Sequence, residues 1–98
     1  MNINLTRNGT ELTVTLEGRL DTLTAPDLED ALDDELEDIE KLVFDMAKLE
    51  YISSAGLRVL LASAHAMDGQ GDMVVRNINE TVRDVFEVTG FIDILNIE

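Results

Sequence analysis

The sequence predicts an α/β fold with a mixed sheet of four to five strands and with helices packed mainly on one face. Three observations lead to this prediction. Segments with the period of strands interleave with segments of helical period. The first two strands are polar at every other position, which predicts one partly open face of the sheet. With 98 residues, the chain is expected to form a single domain, 1–98, around one core.

The N-terminal strands are predicted to form an antiparallel hairpin. Residues 2–6 and 12–17 alternate apolar and polar side chains, which is the period of a half-buried strand. Asn8-Gly9 lies between them, and this dipeptide provides the positive φ angles of a tight turn. The two strands are therefore expected to be neighbours in the sheet.

The next segment has a helical period. Apolar side chains from Leu28 to Ile39 fall on one helical face, and acidic side chains occupy most of the others. Thr24 and Asp27 have capping-box spacing, and Pro26 is tolerated in a first turn. We therefore expect a first helix from Thr24 to Ile39. Its crowded acids are interpreted as a solvated face, because they lack the Gly-turned ligand spacing of a calcium loop.

The remaining elements continue this alternation of strands and helices. Two continuous apolar runs, 42–44 and 73–75, fit central strands, and a last strand is predicted over 92–97. The apolar segment 57–67 predicts a buried helix. A third helix is expected over 79–90, with an Asn cap and a Gly stop. Strands separated by helices should pair in parallel through right-handed crossovers.

Composition excludes several classes of partner and site. Seven basic and 21 acidic residues give a net charge of −14, so nucleic acids and anionic lipid surfaces would repel the chain. There is no Cys and only one His, so no residue is assigned to a metal or a cofactor. No signal peptide or apolar run of membrane-spanning length is present. We therefore expect a cytoplasmic protein that binds neither nucleic acid nor membrane.

The stretch 44–61 contains the candidate chemistry. It is predicted to run from a strand through a loop into a helix, with Ser53 and Ser54 at the helix start. A helix N-terminus has unpaired N–H groups and the positive end of the helix dipole, so it accepts phosphate or another anion. In the simpler interpretation, one of these serines only caps the helix. The two interpretations are compatible, because a capping serine already lies where an added phosphoryl group would find backbone donors.

This stretch resembles the signature of STAS-domain anti-sigma factor antagonists. In that signature an apolar strand ends near Asp or Asn, and a Leu, an aromatic-apolar pair and Asp-Ser-Ser-Gly-Leu follow. The residues in those places are Asp45, Leu49, Tyr51, Ile52 and Ser53-Ser54-Ala55-Gly56-Leu57. The segment 16–21 with Thr24 is similar to the Gly-x-Leu-Asp region of the family, and 89–91 resembles its Ser/Thr-Gly-Leu/Phe turn. These matches cover nearly the whole chain in the family's order.

The resemblance implies a partner switch. In such systems the unphosphorylated antagonist binds an anti-sigma factor that is also an ATP-dependent serine kinase, and the sigma factor is released. Phosphorylation of the signature serine ends this binding, and a cognate phosphatase restores it. By position the acceptor is Ser54, with Asp21, Thr24 and Gly56 in the surrounding partner-binding region. The implied protein is a regulator without enzymatic activity or cofactor, and a monomer is the favoured oligomeric state.

The sequence departs from the family pattern near the acceptor. Ser53 stands where the family usually has Asp, and Ala55 stands where it often has a second Ser. Ser53 is therefore an alternative acceptor as well as a predicted partner contact. Arg58 follows Ser54 by one helical turn, and we expect it to contact the partner and to neutralise a phosphate. The sequence ends at Glu98, before the closing helix that many members carry.

A second hypothesis is a small phosphocarrier or nucleotide-handling enzyme that uses Asp45, Asp21 and Ser54 directly. Asp45 is predicted at a strand end, where a phospho-accepting aspartate would lie. However, no His or Cys accompanies a candidate nucleophile, and no Gly-rich loop with a Lys would hold a nucleotide. The binding module is therefore the favoured hypothesis.

Overall fold

A single mixed sheet with three helices makes up the fold, as described for residues 1–98 by a computed structural model. The strands are β1 (Asn2–Asn8), β2 (Glu11–Leu20), β3 (Lys41–Ile52) and β4 (Asp72–Arg76). The helices are α1 (Ala25–Leu32), α2 (Ser54–Met67) and α3 (Glu80–Thr89). The sheet order is β1-β2-β3-β4, with β1 antiparallel to β2 and the other two pairs parallel. The predicted α/β fold with a mixed sheet is confirmed.

The hairpin turn is shifted by one residue from its predicted place. Asn8 pairs with Glu11, so the turn consists of Gly9 and Thr10. Of these two residues only Gly9 has a positive φ, 64°. This fits the hairpin turns that require Gly at the first central position.

The two faces of the sheet differ in what covers them. Phe44 and Val75 are in register and belong to the core cluster that also contains the buried side chains of all three helices. Val43 and Val74 are also in register, but they point to the opposite face because side chains alternate along a strand. Both are buried without belonging to that cluster. The helices therefore gather on one face, as predicted.

β3 is much longer than predicted and includes the segment expected to be a loop. Asp45 pairs with Thr15, and Ile52 pairs with Leu20. Between these two pairs β3 advances by seven residues and β2 by five, so β3 has two extra residues. The two extra residues form β-bulges, which locally change the alternation of side chains. As a result, Leu49 and Ile52 are both buried in the core.

α1 is shorter than predicted, because it ends at Leu32 instead of Ile39. The residues after Leu32 are acidic, and acidic side chains at the C-terminal, negative end of a helix dipole are unfavourable. Asp34 has a φ of 65°, which is outside the helical range. Ile39 is still buried, and the side-chain amide Nε2 of Gln70 donates to the Ile39 carbonyl (2.8 Å).

The predicted last strand is wrong except for one residue pair. Residues Phe91–Asp93 form a 3-10 turn, and the only β-bridge beyond them joins Ile97 to Val75. The preceding helix ends at Thr89 and is capped by Gly90, whose φ of 83° turns the chain. Leu95 is buried in the core. The C-terminal segment therefore adds a short contact to the edge of β4 without forming a full fifth strand.

Candidate functional site

The start of α2 is fixed to the ends of both central strands. Ser53 is the N-cap residue, with an extended backbone, and Ser54 is the first helical residue. The Ser53 N–H donates to the carbonyl of Leu20 (2.9 Å), and the Ser53 carbonyl accepts from the Leu57 N–H (2.9 Å). The prediction that Ser53 and Ser54 lie at the start of a helix is confirmed. The N-terminal end of α2 therefore lies directly beside the end of β2.

The hydroxyl groups of the two serines have different environments. The Ser53 Oγ is buried and has no hydrogen-bond partner. The Ser54 residue is exposed. No side chain caps α2, so the capping role predicted for a serine hydroxyl is wrong, although Ser53 occupies the cap position. A group that approaches from solvent reaches the hydroxyl of Ser54 and not that of Ser53.

The turn after β2 forms the second part of the site. The Asp21 Oδ1 accepts from the N–H groups of Leu23 (3.0 Å) and Thr24 (3.2 Å). The Thr24 hydroxyl accepts from the Asp21 N–H (2.8 Å) and donates to the Arg19 carbonyl (2.8 Å). The predicted capping box is wrong, because the Thr24 hydroxyl makes no cap bond to α1. Its hydrogen bonds instead hold the turn that Asp21 begins.

The hydrogen bonds of this turn keep Asp21 ionised. Burial raises the pKa of the Asp21 carboxyl, but the N–H groups of Thr24 and Leu23 outweigh that effect. The Thr24 hydroxyl and the positive charge of Arg19 act in the same direction, so the pKa lies below its ordinary value. The site therefore carries a fixed negative charge at neutral pH.

Two further residues at this end of the sheet, Leu23 and Arg19, were not among the site residues predicted from the sequence. Leu23 is 86% exposed although its N–H is held by Asp21. The guanidinium carbon of Arg19 lies 4.5 Å from the centroid of the Tyr51 ring, and the two residues are neighbours across β2 and β3. An apolar residue inside a polar turn was the available signal for Leu23. The stacking of Arg19 on Tyr51 depends on the second bulge, which the sequence pattern did not predict.

Gly56 allows the close approach of α2 to the sheet. A Cβ at this position would lie 2.7 Å from the Cγ of Leu20 and 2.9 Å from the Cγ1 of Ile52. Gly56 is buried, so within the predicted partner-binding region it has a packing role. Its effect on the site is to bring the start of α2 against β2 and β3.

Arg58 lies one helical turn after Ser54, as expected from the sequence. It is exposed, and it takes part in none of the three ion pairs of the molecule. Residues four apart on a helix are neighbours on its surface. Arg58 is therefore placed on the same side of α2 as Ser54, with its positive charge uncompensated by an ion pair.

Asp45 lies far from these residues, in the middle of β3. Ile52, at the end of the strand, is seven positions further along the chain, which corresponds to on the order of 20 Å. Its carboxylate accepts from the Ala47 N–H (3.1 Å) and from the side-chain amide of Asn77 (3.1 Å). The prediction that Asp45 ends a strand is wrong, because the bulged strand continues. Asp45 therefore does not join the group formed by Asp21 and Ser54.

Comparison with known families adds the decisive observation. A family model described as the STAS domain matches residues 2–98. The chain belongs to the STAS domain family. The resemblance seen in the sequence is thereby confirmed.

Relatives and solved structures of STAS domains agree with this assignment. BtrV from Bordetella bronchiseptica, named as an anti-sigma factor antagonist, is 40% identical over 81 residues, which are 81% of this chain and 70% of BtrV. An anti-sigma factor antagonist from Mycobacterium paratuberculosis has a TM-score of 0.89 at 24% identity, covering 98% of this chain and 83% of that one. Phosphorylated SpoIIAA of Bacillus has a TM-score of 0.76 at 16% identity, covering 99% and 91%. These structures share the fold described above.

The site of this STAS domain presents a hydroxyl without the groups that would activate it. His65, the only His, lies eleven residues after Ser54 on α2, about 16 Å along the helix axis. The Asp21 carboxylate is occupied by the N–H groups of its own turn. No group of three or more His, Cys, Asp or Glu side chains could hold a metal ion, and no helix has the length and apolar character needed to cross a membrane.

Proposed function

We propose that this STAS domain is an anti-sigma factor antagonist controlled by phosphorylation of Ser54. The unphosphorylated domain binds an anti-sigma factor that is also a serine kinase. Phosphorylation ends this binding, and a cognate phosphatase restores it by removing the phosphate. The observation that carries this proposal is the exposed Ser54 at the start of a helix fixed to β2 and β3. The names of its relatives support the antagonist role. SpoIIAA, which shares the fold, has been solved in unphosphorylated and phosphorylated forms.

Accessibility favours Ser54 over Ser53 as the acceptor. A kinase must bring the γ-phosphate of ATP to the hydroxyl oxygen in line with the bond that breaks. The Ser53 Oγ is buried, so its phosphorylation would require the start of α2 to unfold. The Ser54 side chain is exposed and requires no such change. Ser53 then contributes to partner binding indirectly, because its backbone hydrogen bonds hold the start of α2 against β2.

The proposed switch acts at the interface and leaves the fold intact. A phosphoryl group adds about 1.5 to 2 negative charges at neutral pH. The N-terminus of α2 tolerates this charge through its free N–H groups, and Arg58 one turn on supplies a counter-charge. A partner surface that fits a neutral hydroxyl must instead desolvate the added charge. Binding is therefore lost while the domain remains folded.

The partner surface extends from Ser54 to the turn after β2. Asp21 and Thr24 hold this turn in shape, and the turn presents the exposed Leu23. Tyr and Arg side chains are enriched among the residues that contribute most of the binding free energy of protein complexes, and Arg19 lies over Tyr51 at this end of the sheet. We propose that the domain, 1–98, binds its partner as a monomer through this surface.

The test uses three variants and the anti-sigma factor captured by the parent protein. Ser54→Ala should bind this factor with unchanged affinity and resist phosphorylation. Ser54→Asp should weaken binding by more than about tenfold, or 1.4 kcal/mol. Ser53→Ala is the matched control and should remain a substrate of the kinase. A mass spectrum that places the phosphate on Ser53, or equal binding by all three variants, would contradict the proposal.

The phosphocarrier hypothesis predicts a different result with the isolated protein. A carrier or enzyme that uses Asp45, Asp21 and Ser54 directly would become labelled by ATP and magnesium without an added kinase. The separation of Asp45 from the other two residues argues against that chemistry. We therefore expect no label in the isolated protein, and stoichiometric labelling would favour the carrier.

A further inference from the structure

A groove of about 310 Å³ lies between the end of α1 and the middle of α2. Its apolar floor consists of Leu32, Leu36, Val59 and Ala62. The groove lies where α1 ends at Leu32, and residues that follow this end, among them Leu36, also line it. Its volume is at the lower end of the roughly 300–1,000 Å³ typical of ligand sites. It therefore has room for a few aliphatic side chains.

The rim of this α1–α2 groove is acidic. Glu29, Asp33, Asp34 and Glu37 line it, and all four are exposed. None of them belongs to an ion pair. Residues 21–40 contain ten of the 21 acidic residues of the chain and no Lys or Arg. The rim therefore carries uncompensated negative charge beside an apolar floor.

We propose that the α1–α2 groove binds a basic amphipathic helix of a partner protein. Aliphatic side chains on one face of that helix contact the apolar floor, and flanking Lys or Arg side chains face the acidic rim. Such a helix matches both the shape between two helices and the charge of the rim. A second copy of this chain and an anionic membrane both carry the same sign of charge as the rim.

This groove is separate from the phosphorylation site proposed above. Val59 is the first groove residue of α2, and it follows Ser54 by five residues. That spacing corresponds to about 7 Å along the helix axis and more than one full turn. A protein bound in the groove can therefore be distinguished from one bound at Ser54 by single substitutions.

The experiment uses a fluorescent synthetic helix with Leu on one face and Lys on the others. Its affinity is measured by anisotropy at low salt, against a scrambled peptide of the same composition. We expect the amphipathic peptide to bind at least tenfold more tightly than the scrambled one. Equal affinity of the two peptides would mean attraction by net charge alone and would overturn the proposal.

Two alanines of α2 provide a matched pair of variants. Ala62 lines the groove and Ala66 does not, and both are exposed on the same helix. Ala62→Glu places a charged side chain on the apolar floor of the groove, so the affinity for the peptide should fall at least tenfold although the added charge is negative. Ala66→Glu adds the same charge elsewhere and should leave the affinity unchanged. Tighter binding by both variants would show a purely electrostatic contact and would overturn the proposal.

A second pair of variants tests the rim. The double variant Glu29→Gln with Glu37→Gln should lower the affinity for the peptide at least threefold. The double variant Glu80→Gln with Glu87→Gln on α3 makes the same change in net charge and should leave the affinity unchanged. Equal losses would overturn the assignment to the groove. Ser54→Asp should bind the peptide like the parent, which separates this test from that of the proposed switch. A dimer abolished by Ala62→Glu would show that a second copy covers the groove.

Discussion

At the scale of single residues, α2 and α3 begin in different ways although both have a polar N-cap residue. The Asn79 side chain accepts from the Val82 N–H (2.8 Å) and donates to the Leu49 carbonyl (2.8 Å). The Ser53 hydroxyl has no partner. A buried polar group without a hydrogen bond costs free energy. The start of α2 is therefore less stabilised by its cap than the start of α3.

This difference predicts unequal costs for two alanine substitutions. Asn79→Ala should lower the free energy of unfolding by about 0.5 to 2 kcal/mol, because the cap bond is lost. Ser53→Ala should cost less, because it removes a hydroxyl that makes no bond. Urea unfolding of both variants measures the difference. Equal losses would show that the Ser53 hydroxyl caps α2 in solution.

At the scale of elements, α2 is positioned by its contact with the ends of β2 and β3. The bulges of β3 keep Leu49 and Ile52 in the core, and Gly56 brings α2 against Leu20 and Ile52. The Ser53 N–H adds a hydrogen bond to β2. The geometry of the site therefore depends on packing between elements as much as on the residues of the loop.

Gly56→Ala tests this packing. In an unhindered helix interior, Gly→Ala stabilises by up to about 1 kcal/mol. Here the new methyl group overlaps Leu20 and Ile52, so we expect a net loss of about 1 to 3 kcal/mol. Thermal or urea unfolding measures the sign. In a Leu20→Ala background Gly56→Ala should cost less than in the parent, because the overlapping side chain has been removed, whereas a stabilised Gly56→Ala protein would contradict the close approach.

The elements also show which parts of the molecule a sequence can predict. The hairpin and α3 are specified by local signals, namely the alternation of β1 and β2, the cap at Asn79 and the stop at Gly90. The bulges of β3, the early end of α1 and the absence of a full last strand depend on tertiary packing and on accumulated charge. At the site, family motifs located Ser54 and Asp21. The burial of the Ser53 hydroxyl and the exposure of Leu23 follow only from the assembled fold.

At the scale of the whole molecule, charge is unevenly distributed. The three ion pairs, Lys41 with Glu11, Lys48 with Glu17 and Arg76 with Glu98, involve residues of the sheet or the C-terminal segment. The region of α1 and the residues after it has no basic side chain. Repulsion among its acids opposes the compact state. This repulsion acts in a chain whose net charge is −14.

The last prediction is that salt stabilises the folded domain. Raising the ionic strength from about 0.01 to 0.15 M shortens the Debye length from about 30 to 8 Å. Screening weakens the three exposed ion pairs, each worth at most about 1 kcal/mol, but it also weakens repulsion among three times as many acids as bases. We expect a net gain on the order of 1 kcal/mol, or about 4 to 8 °C in Tm.

A variant that neutralises exposed acids outside the groove provides the control. Asp30→Asn, Glu35→Gln and Asp38→Asn together should raise Tm at low salt and reduce its increase with salt, because fewer repulsive pairs remain to be screened. Scanning calorimetry of both proteins at the two ionic strengths measures these effects. If Tm of the parent stays constant or falls as salt is added, local ion pairs outweigh the repulsion and the acidic region does not limit stability. An equal salt dependence in the two proteins would place the repulsion elsewhere in the chain.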